Sequence, residues 1–490
     1  MSGISARSTL ASASEGVVVI GLAIAAVVLG IATAILPSSL ISVLVGVPIV
    51  AFASLIMPYL GLVLAAAMLF EIVPSAFVPQ LPLFGALFHG HDVLLLGLSG
   101  LLCLRTVLGM QSFGSSNLGA FRWPLVYLFV MLALSVVYGH FFRGNDSVLA
   151  EARANVCWAI LPLAIAFAPT RSGVQSLTRV MLAFGLIIAA YVSVQSILDI
   201  RIMSAARIEA LDTENSDVIR SIAGGGVYLI VFALFHFVTK VVDKPADGLW
   251  LAPLVGLLLL GLAVQFGRGV WIASAVGALV CAFVHRGALG VVRTTLVSAI
   301  VLLALSGVMS VVFPRLADAV VDRIFAIDTE LTSGGTMRWR FGENAEAMRK
   351  IASNPLLGVG VGGDYKQTVS SRGSFGIETR YIHNAYLYYP LKMGVFSSLI
   401  PAMLIAGFVV TIRSALRQSV NLIDRRNTAV LAGAFAVPVV ASFTQPEWVS
   451  PQGIGALALF MAVARLSARS ESQNGAERGD ARRSTRVDAA

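Results

Sequence analysis

From Gly16 to Leu466 the chain is built of apolar runs of about 20 residues, with short polar loops between them and one long polar stretch before the last runs. A helix of that length crosses about 30 Å of hydrocarbon, and an unbroken helix keeps every backbone polar group satisfied there. The expected fold is therefore all-α: a polytopic integral membrane protein. Composition agrees, since 57% of residues are hydrophobic, 12% are charged, and the mean hydropathy is +0.85.

Spans are expected near 16–36, 39–56, 58–73, 92–109, 122–141, 154–169, 177–199, 221–240, 249–266, 269–285, 291–313, 384–412, 428–445 and 451–466. That gives about 12–14 transmembrane helices. Pro37, Pro48 and Pro58 punctuate the first stretch, and Gly16 to Leu36 reads as a retained first helix rather than a signal peptide. The formal charge of +9 does not form one basic patch, which argues against a nucleic-acid partner. Lys and Arg instead sit in short loops, in the asymmetry of the positive-inside rule. Residues 1–313 then form the N-terminal transmembrane helices, 314–383 a large outer loop, 384–466 the C-terminal helices, and 467–490 a disordered cytoplasmic tail. Cys103, Cys157 and Cys281 stand apart without metal-ligand spacing and are expected to be small buried residues.

The polar stretch from Arg338 to Gly394 holds the candidate chemistry. A helix from Thr336 to about Ser353 is expected, with Phe341, Ala345, Met348 and Ala352 on its apolar face, ended by Asn354-Pro355. Arg338 and Arg340 lie in its first turn, where the helix dipole does not favour a cation. Binding an anion and pairing with Glu343 or Glu346 both account for them. Gly358-Val359-Gly360-Val361-Gly362-Gly363 follows; it lacks the strand–helix context of a dinucleotide fold and reads as a tight turn, although exposed amides there could hold a phosphate. His383-Asn384 opens the next span among Tyr381, Tyr386, Tyr388 and Tyr389. Imidazole has the basicity of a general base near neutral pH, while a polar boundary residue is the plainer alternative. Arg268, between Gly267 and Gly269 and between two apolar runs, is a charge at the membrane that either binds something or snorkels to the surface.

In this order the pieces resemble the O-antigen ligase and Wzy-type polymerase superfamily of bacterial envelope proteins, over roughly Leu249 to Leu466. Phe266-Gly267-Arg268-Gly269 resembles that family's Ser-Arg-Gly segment, with Gly267 in place of Ser. The run from Arg340 to Asn354-Pro355-Leu356-Leu357-Gly358-Val359-Gly360 resembles its Arg-bearing helix and following turn, and His383-Asn384 with Gly394 resembles its His-Asn…Gly signature. Arg349 and Gly360 also match the Arg-x10-Gly spacing of the polymerases. The resemblance implies transfer of a glycan from undecaprenyl diphosphate to an acceptor, lipid A-core or a growing glycan, at the periplasmic face of the bacterial inner membrane, with no cofactor and no metal. It further implies His383 as catalytic base, and Arg268, Arg340, Arg338, Asn384, Gly358 and Gly360 as substrate-binding residues. Ligase and polymerase both fit. A lipid-linked oligosaccharide flippase is the alternative of another class; it would bury charges in mid-span and repeat its halves, whereas Glu71, Asp199 and Lys392 lie near expected span ends.

Overall fold

Apolar windows become helices wherever glycine and proline do not interrupt them. The computed structural model describes residues 56–487 apart from 74–77, 79, 84–85, 112, 199–207, 211–218, 326–335, 366–379, 381 and 420–421. The expected spans 16–36 and 39–56 lie outside these residues, save Ile56. In chain order come α1 (Pro58–Leu69), a hairpin of β1 (Gln80–Leu83) and β2 (Ala86–His89), α2 (Gly90–Val107) and α3 (Arg122–Val137). Next are α4 (Ile160–Phe167), α5 (Arg171–Leu198), a hairpin of β3 (Ile208–Ala210) and β4 (Ile219–Ser221), α6 (Val227–Asp243) and α7 (Gly248–Ala263). The C-terminal part contains α8 (Arg268–Val312), α9 (Pro314–Phe325), α10 (Thr336–Ser353), α11 (Ala385–Met393), α12 (Leu399–Gln418), α13 (Leu422–Ala441) and α14 (Pro451–Val487). Among the described residues nine helices are long and apolar enough to cross a membrane, so the all-α polytopic class holds.

The first half of α14 is the centre of the bundle: Ile454, Ala456, Leu457, Phe460 and Met461 are fully buried, and α4, α12 and the 3-10 segment Arg153–Ala159 pack around it. Helices α8 and α13 approach closely because each presents a glycine. A Cβ on Gly277 would stand 2.7 Å from the Gly433 carbonyl, and one on Gly433 2.6 Å from the Gly277 carbonyl. With no hydrophobic effect between lipid-solvated helices, such small-residue contacts supply the packing.

Several expectations need correction. The span expected at 384–412 is two pieces, because Gly394 takes φ 84°, ψ 166° and ends α11; the crossing segment is Val395–Gln418. The expected spans 269–285 and 291–313 are the two arms of α8, which breaks at Gly287 with φ 68°. α1 has only 12 residues. Cys157 and Cys281 are buried, whereas Cys103 is exposed. α14 continues as helix to Val487 through the segment expected to be disordered; once a helix is nucleated and packed, each further residue adds a bond at little cost.

α10 occupies the expected residues but faces the other way. Phe341 and Met348 are each 60% exposed, Ala345 and Ala352 are exposed too, and the protein-facing side carries Glu343 and Ala347. At a membrane surface the apolar stripe of an amphipathic helix can face lipid, leaving its polar side to the protein.

Candidate active site

Three loops meet beside His383. The first is the turn before α8, where Phe266, fully buried, holds φ 50°. A non-glycine residue in that region is strained and persists only where its surroundings fix it. Here the surroundings do: the Trp271 indole N–H donates to the Leu262 carbonyl at 3.0 Å, and the Gln265 side chain accepts the Ala223 N–H at 2.8 Å. Arg268 is thereby placed at the first position of α8. The second loop follows α13. It touches the first, since a Cβ on Gly269 would stand 2.8 Å from Thr444 Oγ1. It also touches the third, the His383 loop, through the Ala385 N–H, which donates to the Ser442 carbonyl at 3.0 Å. The Arg268 turn and the His383 turn therefore share one neighbour, residues 442–445.

Helix α10 supplies the fourth side. The Glu343 carboxylate is 1% exposed and accepts three hydrogen bonds. Its Oε2 receives the His383 backbone N–H at 3.1 Å and the Nδ1 of the same residue at 3.0 Å; its Oε1 receives the Tyr365 hydroxyl at 3.2 Å. Arg340 lies three residues before Glu343, and residues three apart are neighbours on a helix surface, so Arg340 stands on α10 within one turn of the residue that contacts His383. Arg338 is in the same first turn. From α9, Arg323 Nε donates to the Phe266 carbonyl at 3.4 Å, which brings another cation to the Arg268 turn.

The other expected site residues have structural duties. The Asn384 side chain caps α11 by accepting the Tyr386 N–H at 3.1 Å. Gly358 and Gly360 take φ 65° and 79°, and a Cβ on Gly358 would stand 2.3 Å from the Leu391 carbonyl. The Gly-rich turn is a plug whose polar groups are used by the protein, and it is not an open cradle for phosphate. Ser135 Oγ accepts the Val361 N–H at 3.1 Å, Glu151 accepts the Gly362 N–H, and the Asn145 amide donates to the Val361 carbonyl at 3.0 Å. The plug rests on Gly139 in a π-helical turn, Tyr138–Phe142, and a Cβ on Gly360 would be 2.8 Å from Gly139 Cα.

Lys392, fully buried, bolts this turn to α11: Nζ donates to the Gly363 carbonyl at 2.7 Å and to the Glu151 carboxylate at 3.1 Å. Burial pushes its ammonium below the usual lysine range, while Glu151 opposes the shift. Lys392, Glu343, Tyr365 and Arg323 are not among the site residues expected from the sequence. Their roles depend on partners 22 to 241 residues away, which no local pattern encodes.

Among the described residues one group of His, Cys and acidic side chains is close enough to share an ion, namely His91, Asp92 and Cys157. Asp92 already accepts the His89 N–H at 2.9 Å at the start of α2, and the Arg153 guanidinium stands 3.6 Å from it, supplying positive charge where an ion would sit. This cluster reads as a latch between the β1–β2 hairpin and the segment after α3.

The arginine-bearing turn and the histidine-bearing loop thus rest on one shared segment, and the loop also rests on the buried Glu343 carboxylate. A family model described as O-antigen ligase matches residues 253–402, from within α7 into α12, and so takes in Arg268, Arg340, Glu343 and His383. Over those residues the chain is similar to the O-antigen ligase family. No curated protein matches the chain.

Proposed function

We propose that the protein is a glycosyltransferase of the O-antigen ligase type, moving a glycan from undecaprenyl diphosphate to an acceptor hydroxyl at the periplasmic face of the bacterial inner membrane. The observation that carries this reading is the convergence on residues 442–445 of the Arg268 turn and the His383 loop, both of which lie within the matched residues 253–402. His383 takes the proton of the acceptor hydroxyl as its oxygen attacks the anomeric carbon. The bond from that carbon to the diphosphate breaks, and the lipid diphosphate leaves with the electron pair.

Charge grows on the diphosphate in the transition state, so guanidinium groups fixed before the reaction stabilise that state more than the ground state. Arg268 and Arg340 fill this role, with Arg338 close by in sequence. They supply the positive charge that a metal ion provides to leaving groups elsewhere. A base contributes about 10²–10⁴ in rate.

The test is His383→Ala in a strain lacking the wild-type gene, with surface glycan scored on gels and the variant's membrane level checked by blot. Loss of attached glycan at normal protein level supports the reading. Lipid-linked chains accumulating unattached mark a ligase, and single repeats mark a polymerase. Unchanged surface glycan refutes the role of His383.

A further inference from the structure

We propose that Glu343 is the positioning residue of His383: its carboxylate fixes the ring through Nδ1, directs Nε2 to the acceptor hydroxyl, and stabilises the imidazolium formed when the proton arrives. This rests on His383 being the base and adds the residue that makes it effective.

The argument begins with the hydrogen-bond roles. A backbone N–H can only donate, and the one on His383 points at Glu343 Oε2 at 3.1 Å, so that oxygen is an acceptor. Nδ1 of the same residue lies 3.0 Å from the same oxygen and must then carry a proton to make its contact. A neutral ring protonated on Nδ1 holds its basic lone pair on Nε2, the other end of the imidazole. With the Tyr365 hydroxyl on Oε1, three donors converge on one carboxylate, the arrangement that favours its charged form despite burial.

The backbone and side chain of His383 are gripped by a single oxygen, so ring rotation and loop displacement are restrained together. The carboxylate is 1% exposed while the His383 side chain keeps 14%, so the ring is the member of the pair that can meet a substrate. A buried carboxylate behind an imidazole sets its tautomer and stabilises its cation without itself taking the proton. During transfer Glu343 stays ionised: the hydroxyl proton ends on Nε2, and the charge of the resulting imidazolium is balanced across the Nδ1 contact. Glu343 also shares α10 with Arg340, so one rigid element sets both the base and a leaving-group cation.

The test uses the full-length protein in liposomes with a diphosphate-lipid-linked glycan donor and its acceptor, comparing Glu343→Gln, Glu343→Asp and His383→Ala across pH. Glutamine keeps the shape and an acceptor oxygen but removes the charge. The expected result for E343Q is a kcat lower by about 10- to 100-fold with KM within about twofold, and an acidic limb of the rate profile displaced to lower pH, because the imidazolium has lost its counter-charge. E343D keeps the charge at shorter reach; it loses less kcat and keeps the acidic limb in place. A purely structural role for Glu343 would lower the amount of folded protein without moving the limb. Wild-type kcat and pH profile in E343Q, with H383A inactive, would overturn the proposal and leave the base standing. Full activity in H383A would overturn both. Should E343Q fail to reach the membrane, E343D decides: an acidic limb displaced as far as expected for loss of the charge would contradict the proposal.

Discussion

Replacing Lys392 by methionine removes the ammonium that ties the Gly-rich turn to α11 while keeping most of the side-chain volume. Lys392 has no exposed surface, so its charge is compensated by protein groups alone: the Glu151 carboxylate at 3.1 Å and the Gly363 carbonyl at 2.7 Å. Breaking a buried ion pair from one side costs about 3–5 kcal/mol, because the other charge is left uncompensated. Here the lower end applies, about 3 kcal/mol, since Glu151 retains 17% exposure and still accepts the Gly362 amide. Glu151→Gln alone should cost at least as much, as the ammonium it strands has no route to water. The double variant K392M/E151Q removes both charges and should recover part of the loss, with a coupling of about 1–3 kcal/mol. Unfolding in mixed detergent and SDS micelles measures all four proteins. The reasoning is refuted if K392M is as stable as wild type, or if the double variant loses the full sum of the two single losses.

Other consequences follow from single positions. Gly394→Ala places a Cβ 1.9 Å from the Leu356 carbonyl at φ 84°, so beyond about 1–3 kcal/mol of backbone strain the joint between α11 and α12 must shift; thermal unfolding in detergent and glycan transfer should both fall sharply. Gly267→Ser, by contrast, meets nothing nearer than Val270 Cγ2 at 3.6 Å, and should keep stability within about 0.5 kcal/mol and keep activity in the same assays. Asn384→Ala removes the cap of α11 and should cost about 1 kcal/mol by micelle unfolding; a loss of transfer much greater than its loss of folded protein would show a substrate contact as well.

What was legible in the sequence follows from how local the cause is. The crossings are set by composition within one window, and most appear where the apolar runs lie. The extent of α10 was readable because Asn354-Pro355 ends it locally. Its facing was not, since at a membrane surface the apolar stripe of Phe341 and Met348 has a favourable neighbour on the outside, and nothing in an isolated helix says which side the protein takes. The break at Gly394 hid inside an apolar run because glycine is common in membrane helices; only its contact with Leu356, 38 positions earlier, requires it. Arg268, Arg340 and His383 stood out as polar residues in an apolar chain. Glu343 was legible only as a possible partner for the helix's arginines, because among the acids of its loop it is distinguished only by burial beneath His383.

The most direct test of the account is a reconstituted transfer reaction: the purified protein in liposomes, a radiolabelled glycan on undecaprenyl diphosphate, and a hydroxyl-bearing acceptor lipid, with the acceptor product counted. The account predicts label on the acceptor with release of the lipid diphosphate, and loss of product by about 10²–10⁴ in H383A. Label that crosses the bilayer while still attached to its lipid, with no acceptor product, would contradict it and identify a flippase instead.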